Sequence, residues 1–375
     1  MPAPSAPESG GDRALVTRRI PHSRPALGAS EVERLREVIS SGVIAQGPRV
    51  EQFEGAVASF LRPEAEAVAA GVAVSSGTAA LYVSLRALGI DAGDEVLLPA
   101  FVCASVLQAV RATGATPRFV DCDPATFGID PADARGKIGD RTRAVIVAHL
   151  FGLPADLDSL VELGPPVIED CAQTLGAQYK GRPAGTFGEI STCSFYATKL
   201  LAAGEGGMVL SSNADILDRA RVLRNCDDPA SGEWAFNFKM SDLHAAVGLV
   251  QLEQLPERLA RRKALAQRYR VAFENLSVGL PASPDDREHQ YFRFVVSLKD
   301  GALKPLLERS EDLGLACRRP VGYLPDPVLA ELDNLPGCRQ AWQTACSIPL
   351  YPDLADDEAE LVVSRFGAAV RAVNV

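Results

Sequence analysis

Residues 191–212, STCSFYATKLLAAGEGGMVLSS, hold two β-rich runs with a lysine and a glycine-rich turn between them. STCSFYA (191–197) and GMVLSS (207–212) read as strands. Working towards the N-terminus, similar runs recur: VAVSS (72–76), EVLLPA (95–100), RFVDCD (118–123), AVIVAHLF (144–151) and PVIEDCA (166–172). Several are apolar at consecutive positions, the pattern of strands covered on both faces. Helical stretches separate them at 79–89, 102–113 and 155–163. The alternation predicts an α/β fold with a doubly wound, mostly parallel seven-stranded sheet flanked by helices.

Beyond Asn213 the pattern turns amphipathic. Helices are expected at 214–225, 241–255 and 256–276, where Ser241 with Asp242 and then Pro256 mark helix starts. A strand is expected at 291–298, and helices at 302–313 and 357–373. The chain divides on this reading into an arm at 1–20, a large α/β domain at 21–252 and a smaller α+β domain at 253–375. Residues 1–12 are rich in Pro, Ser and Gly and are expected to be disordered.

A net charge of −10 argues against nucleic acid or an anionic membrane as the main partner. No apolar run approaches the length of a membrane span, and the N-terminus has no signal-peptide core. Eight cysteines without a CxxC pair are expected as buried free thiols in a reducing cytoplasm. The four histidines give no metal-ligand spacing, so no metal is expected.

Lys199 is one of only seven lysines, against 31 arginines, and it sits among Phe195, Leu200, Leu201, Ala202 and Ala203. Apolar surroundings disfavour a charged amine, and a neutral lysine forms Schiff bases with carbonyl compounds, pyridoxal phosphate among them. Taken alone, Lys199 reads more simply as a residue snorkelling from a helix start. The other parts of a cofactor site decide the matter. Asp170, at the end of the run PVIED, is the candidate carboxylate for a pyridine nitrogen; a helix N-cap is its other reading. Gln173 could donate to a ring hydroxyl or be an ordinary surface residue. In SSGTAALYVSLRALG (75–89), Gly77 permits close approach, and the amides of Thr78 and Ala79 would face an anion at a helix start. Ser194 adds a hydroxyl.

Together with SSGVIAQGPRVEQFE (40–54), DEVLLPAFVCASVLQAV (94–110), FVDCDPATFGID (119–130), AHLFGLPADLDSL (148–160), FNFKMSDLHAAVGLVQLEQL (236–255) and SIPLYPDL (347–354), these segments resemble the DegT/StrS-type sugar aminotransferases. Those enzymes use pyridoxal 5'-phosphate and share the aspartate aminotransferase fold type I. The resemblance runs from about residue 20 to the C-terminus. It implies that Lys199 holds the cofactor covalently and moves the proton, and that Asp170 pairs with the ring nitrogen. It also implies that Gln173 bonds the ring hydroxyl and that Gly77, Thr78, Ala79 and Ser194 bind the phosphate. Asn237 would reach the phosphate of a neighbouring subunit, implying a homodimer with shared active sites. Cys103 stands where many relatives stack an aromatic residue on the ring, and Phe101 is the alternative source of that contact. Lys239, Asn225-Cys226 and Leu153 also depart from the family pattern, on the substrate side.

The implied reaction moves an amino group from glutamate or glutamine to a keto-sugar. The keto-sugar would be a nucleotide-linked keto-deoxysugar in a sugar or secondary-metabolite pathway. A keto-cyclitol or other non-sugar carbonyl is an alternative acceptor. A dehydratase or aromatising relative, or a non-catalytic regulatory protein of the same fold, are the competing readings. Lys199 counts against a dehydratase of the kind that carries histidine at this position.

Overall fold

The computed structural model describes residues 18–61, 70–227 and 235–373. The expected arm, through residue 17, lies outside them. The strands are β1 (Ala70–Val74), β2 (Glu95–Pro99), β3 (Thr116–Val120), β4 (Thr142–Ala148), β5 (Val167–Asp170), β6 (Gln178–Tyr179), β7 (Arg182–Pro183), β8 (Ile190–Ser194), β9 (Gly207–Ser211), β10 (Phe294–Ser297) and β11 (Ala345–Ile348). Seven form the main sheet in the order β1-β9-β8-β5-β4-β2-β3. Only β9 runs against its neighbours, because it returns directly from β8 through the lysine turn. The first seven helices are α1 (Ala29–Ser41), α2 (Pro48–Leu61), α3 (Gly77–Ala87), α4 (Ala104–Ala112), α5 (Pro131–Lys137), α6 (Leu157–Val161) and α7 (Ala214–Leu223). They are followed by α8 (Asp242–Glu253), α9 (Leu255–Phe273), α10 (Leu303–Asp312), α11 (Asp326–Glu331), α12 (Pro336–Thr344) and α13 (Asp356–Ala372).

Side-chain parity along the strands sorts the core into two faces. Val96, Leu98, Ala144, Ile146, Ile168, Ile190 and Val209 pack with α3, α4 and α7. Leu97, Val145, Val147 and Val167 face the other way, with Leu157 and Leu160 of α6. Farther along that second face, Ala73, Cys193, Met208 and Leu210 pack with α2 and α8 through Val50, Phe53 and Ala245. Consecutive apolar residues are therefore needed, because each strand buries both of its sides. A separate core gathers β10, β11, α9, α10 and α13, and Ile20 joins it by bridging Leu315. Val321, Leu324, Val328 and Cys338 pack instead with the first face of the main sheet.

The same parity divides Glu169 from Asp170. Glu169 points to the second face and is fully buried. Its Oε2 accepts from Gly185 N–H at 2.7 Å, and its Oε1 from Phe187 and Gly188 N–H, both at 2.7 Å. His149 Nδ1 accepts from Ala155 N–H (3.1 Å), so its Nε2 carries the proton and donates to Glu169 Oε2 (3.1 Å). Burial pushes the Glu169 carboxyl up, but His149 and the amides more than offset this and hold it below the ordinary glutamate value. Cys171 lies against the same group, but both ring nitrogens of His149 are already engaged.

Five of the eight free thiols are buried, whereas Cys103 and Cys226 are exposed and Cys317 is intermediate, which corrects the expectation of uniform burial. Among the described residues, no helix is long and apolar enough to cross a membrane.

Glu169→Gln leaves several amides facing a neutral group and should lower stability by about 3–5 kcal/mol in urea unfolding at neutral pH. The folded carboxyl titrates below its unfolded value, so its contribution is present at neutral pH and is lost in acid. The gap between parent and variant should narrow below about pH 4.

Candidate active site

The site lies at the carboxyl ends of the parallel strands. Asp170 ends β5 and Ser194 ends the adjacent β8, and both share the parity that faces α3. Ser76 caps α3 by accepting from Ala79 N–H at 3.1 Å. Gly77 opens that helix directly against Ser194; a Cβ at Gly77 would stand 2.7 Å from Ser194 Cβ. Past Ser194 the chain turns tightly: Phe195 N–H donates to Gly206 O, Ala197 N–H to Gly204 O, and Lys199 N–H to Tyr196 O. The turn delivers Lys199 to the end of the sheet.

A cavity of about 220 Å³ forms there. Gly77, Thr78, Cys103, Asp170, Gln173, Ser194 and Lys199 all line it, and so do Tyr196 and Glu205. Two expected members stand apart. The Ala79 amide is engaged by Ser76, so it is not free for an anion in this structure. Asn237 is exposed on the surface, where its Oδ1 accepts from Lys239 N–H (3.4 Å).

Phe101 does not line the cavity. Its ring is buried against Phe127 and Phe151, which removes it as an alternative aromatic contact and leaves Cys103 at that wall. Cys103 Sγ lies 2.6 Å from Ser105 Oγ.

Desolvation lowers the Lys199 amine below the ordinary lysine value; Cys103 and Asp170 oppose that shift, and Arg293 adds to it. Its Nζ lies 5.4 Å from the centre of the Phe292 ring. Among the described residues it has no hydrogen bond or ion pair. Asp170 moves the other way: burial raises its carboxyl, against the pull of Lys199 and of Ala172 N–H, which donates to Oδ1 at 3.0 Å. A readily neutralised amine thus faces a carboxyl whose charge lacks a close partner.

Gln173 has a defined orientation. Its Oε1 accepts from Phe151 N–H (2.8 Å), which leaves the Nε2 donors for the cavity. Phe151 in turn accepts from Arg293 N–H at 3.2 Å, and Gly152 accepts from Gln290 N–H at 2.7 Å. Gly152 has φ +103°, and a Cβ there would stand 2.7 Å from the nitrogens of Tyr291 and Phe292. Only glycine lets segment 149–152 fit between the sheet and residues 290–293.

Residue-by-residue reading missed His149, Phe292 and Arg293. AHLFG carried a signal as a motif, but nothing in YFRF marked a cavity neighbour.

A mostly parallel seven-stranded sheet, with a lysine turn and an aspartate at its carboxyl edge, is the architecture of the pyridoxal-phosphate-dependent aminotransferases of fold type I. The chain belongs to the DegT/DnrJ/EryC1/StrS aminotransferase family, whose model matches residues 25–367. It is 33% identical to the spore coat polysaccharide biosynthesis protein SpsC of Bacillus subtilis, over 92% of this chain and 95% of that protein. It is 32% identical to GDP-perosamine synthase of Escherichia coli O157:H7, over 90% of this chain and 95% of the synthase. Among solved structures, the aminotransferase TlmJ from Streptoalloteichus hindustanus superposes with a TM-score of 0.87 at 31% identity, covering 95% of this chain and all of TlmJ.

Gly77→Ala forces the start of α3 away from Ser194. Pyridoxal phosphate affinity, measured by equilibrium dialysis, should fall about tenfold or more, the scale of an overpacking penalty of about 1–3 kcal/mol. An unchanged affinity would place the phosphate elsewhere.

Proposed function

We propose that this aminotransferase moves an amino group from glutamate or glutamine to a nucleotide-linked keto-deoxysugar, with pyridoxal phosphate held covalently on Lys199. One observation carries the reading: Lys199, Asp170, Gln173, Ser194 and the start of α3 line one cavity. The donor set fits the cofactor. Gln173 presents Nε2 donors towards a ring hydroxyl, Asp170 keeps carboxylate capacity for a ring nitrogen, and Gly77, Thr78 and Ser194 offer amides and hydroxyls to a phosphate.

The chemistry that the bound cofactor supplies is an electron sink for a carbanion at the carbon bearing the amino group. The protein does the rest. Lys199 Nζ, set free when the donor's amine takes its place, would take the proton from that carbon and give it back to complete the transfer. Asp170 would keep a proton on the ring nitrogen, and its raised carboxyl would gain a charge partner there. Gln173 would donate an Nε2 hydrogen to the ring hydroxyl, and Cys103 packs where a larger wall residue could stand.

A sugar acceptor is supported by relatives named for polysaccharide biosynthesis and for a GDP-linked product. A homodimer is supported by exposed apolar residues: Val32 and Ile39 on α1, Val43 and Ile44 after it, and Phe236 beside the exposed Asn237. In that arrangement Asn237 serves the neighbouring subunit's phosphate. The free thiols fit a reducing cytoplasm.

Lys199→Ala should abolish the absorbance band of a lysine-bound pyridoxal. Asp170→Asn should keep the band but slow amino transfer by about 10²–10³-fold, the scale of losing one preorganised electrostatic partner. Full activity in Asp170→Asn would remove that residue from its role. The acceptor is identified by loading the protein as the pyridoxamine form and screening keto-sugars and keto-cyclitols for return of the band.

A further inference from the structure

Four described residues other than glycine have a positive φ, and three of them meet at one segment of backbone: Phe127 (φ +62°), Phe151 (φ +60°) and Tyr291 (φ +49°). A left-handed backbone is disfavoured for a bulky side chain, so it persists only where the surroundings hold it. Phe151 follows β4, and Phe127 lies in the loop after β3.

The ring is what holds Phe151. It is buried, with its centre 5.4 Å from that of Phe127 at 76° and 6.4 Å from that of Phe101 at 74°, both edge-to-face contacts. Phe127 is buried too, 5.9 Å from Phe101. Its own turn is closed by Phe127 N–H donating to Asp123 O (2.7 Å) and Asp123 N–H donating to Gly128 O (2.9 Å). The loops after β3 and β4 thus each lay a left-handed phenylalanine into one aromatic cluster.

The Phe151 backbone faces two partners. Its N–H donates to Gln173 Oε1 (2.8 Å), and its C=O accepts from Arg293 N–H (3.2 Å). The left-handed turn lets the chain serve Gln173 on one side and segment 290–293 on the other. Held there, the N–H decides which end of the Gln173 amide accepts, and the Nε2 donors are left for the cavity. An amide turned the other way would offer the cavity an acceptor in place of a donor. Among the described residues that line the cavity, none of the three rings appears. Their influence on it therefore runs through this one hydrogen bond.

We propose that Phe151 is a positioning residue for the cofactor: its left-handed backbone, anchored by the Phe101–Phe127–Phe151 cluster, sets the Gln173 amide with a donor towards the ring hydroxyl. This rests on the reading of Gln173 as the partner of that hydroxyl. A donor at the ring oxygen favours the form in which that oxygen carries the fuller negative charge. That is the form left after the lysine-bound nitrogen has lost its proton. Losing the donor therefore raises the pH midpoint of the lysine-bound pyridoxal band.

The test is a pH titration of that band in purified, cofactor-loaded protein. Gln173→Ala should raise the midpoint by about one unit, the scale of one hydrogen bond to a charged group. Phe151→Ala should raise it by a similar amount, and Phe127→Leu, a milder change one ring farther away, by less. Phe151→Ala in the Gln173→Ala background should add almost nothing, because both act through the same bond. A purely structural role would weaken cofactor binding without moving the midpoint. A parental midpoint in folded Phe151→Ala overturns the proposal, and so does a shift that adds in full to that of Gln173→Ala. If Phe151→Ala does not fold, a parental midpoint in Phe127→Leu overturns it instead. Hydrogen exchange on the cofactor-free protein separates this outcome from failure of the cofactor reading. The Phe151 amide should exchange about tenfold faster in Gln173→Ala, the scale of a lost hydrogen bond. That acceleration in a protein that forms no pyridoxal band refutes the cofactor reading and leaves the Phe151–Gln173 link standing. An amide that is not accelerated overturns the link itself.

Discussion

The carboxylate of Glu169 organises the centre of this protein. It is fully buried, yet it stays ionised because three backbone amides and the His149 ring converge on it. Those contacts tie the loop before β8 and the segment after β4 to the end of β5. A charge in a protein interior is tolerable only when its lone pairs are fully engaged. The same device recurs where the chain must hold a distant segment. Asp121 accepts from the amides of Gly337 and Cys338 at the start of α12, and Asp242 accepts from Gly47, Arg49 and Val50 at the start of α2.

With Glu169 anchored, strand alternation turns Asp170 to the opposite face. That step of one residue separates a carboxylate engaged by backbone amides from one that lines the cavity. Ser194 shares the parity of Asp170, and α3 starts against Ser194 because Gly77 has no side chain to obstruct it. The lysine turn is then constrained at both ends by β8 and β9. Amine and carboxyl end up in one cavity, each shifted towards its neutral form by burial. Their perturbation follows from where the sheet ends, with no ion-pair partner for the lysine among the described residues.

The seven sheet strands were legible because parallel strands bury both faces and leave unbroken apolar runs in the sequence. The helices α7, α10 and α13 were legible by their amphipathic periodicity, and α8 and α9 by the start signals at Ser241 and Pro256, whereas short helices such as α5, α11 and α12 carry too few turns to declare a period. In the site, Lys199 and Asp170 stood out as polar residues at the ends of apolar runs. Phe101 stands as an alternative to Cys103 in the sequence because a buried ring and a cavity-lining ring read alike, and only packing against Phe127 and Phe151 separates them. Ala79 was assigned by helix position, which cannot reveal that Ser76 already engages its amide. Arg293 was invisible as a site neighbour because 94 residues separate it from Lys199.

The sequence by itself determined the sheet, its mostly parallel sense and the identity of the lysine and aspartate. These depend on local patterning: which faces are apolar, where runs stop and where a turn begins. Tertiary structure alone decided which groups surround the lysine. It set the proton position on His149, the amide orientation of Gln173, the exposure of Cys103 and the placing of Arg293 over the Phe292 ring. Each of these is settled by a hydrogen bond or a burial between segments far apart in the chain, and such contacts exist only once the two faces of the sheet have closed.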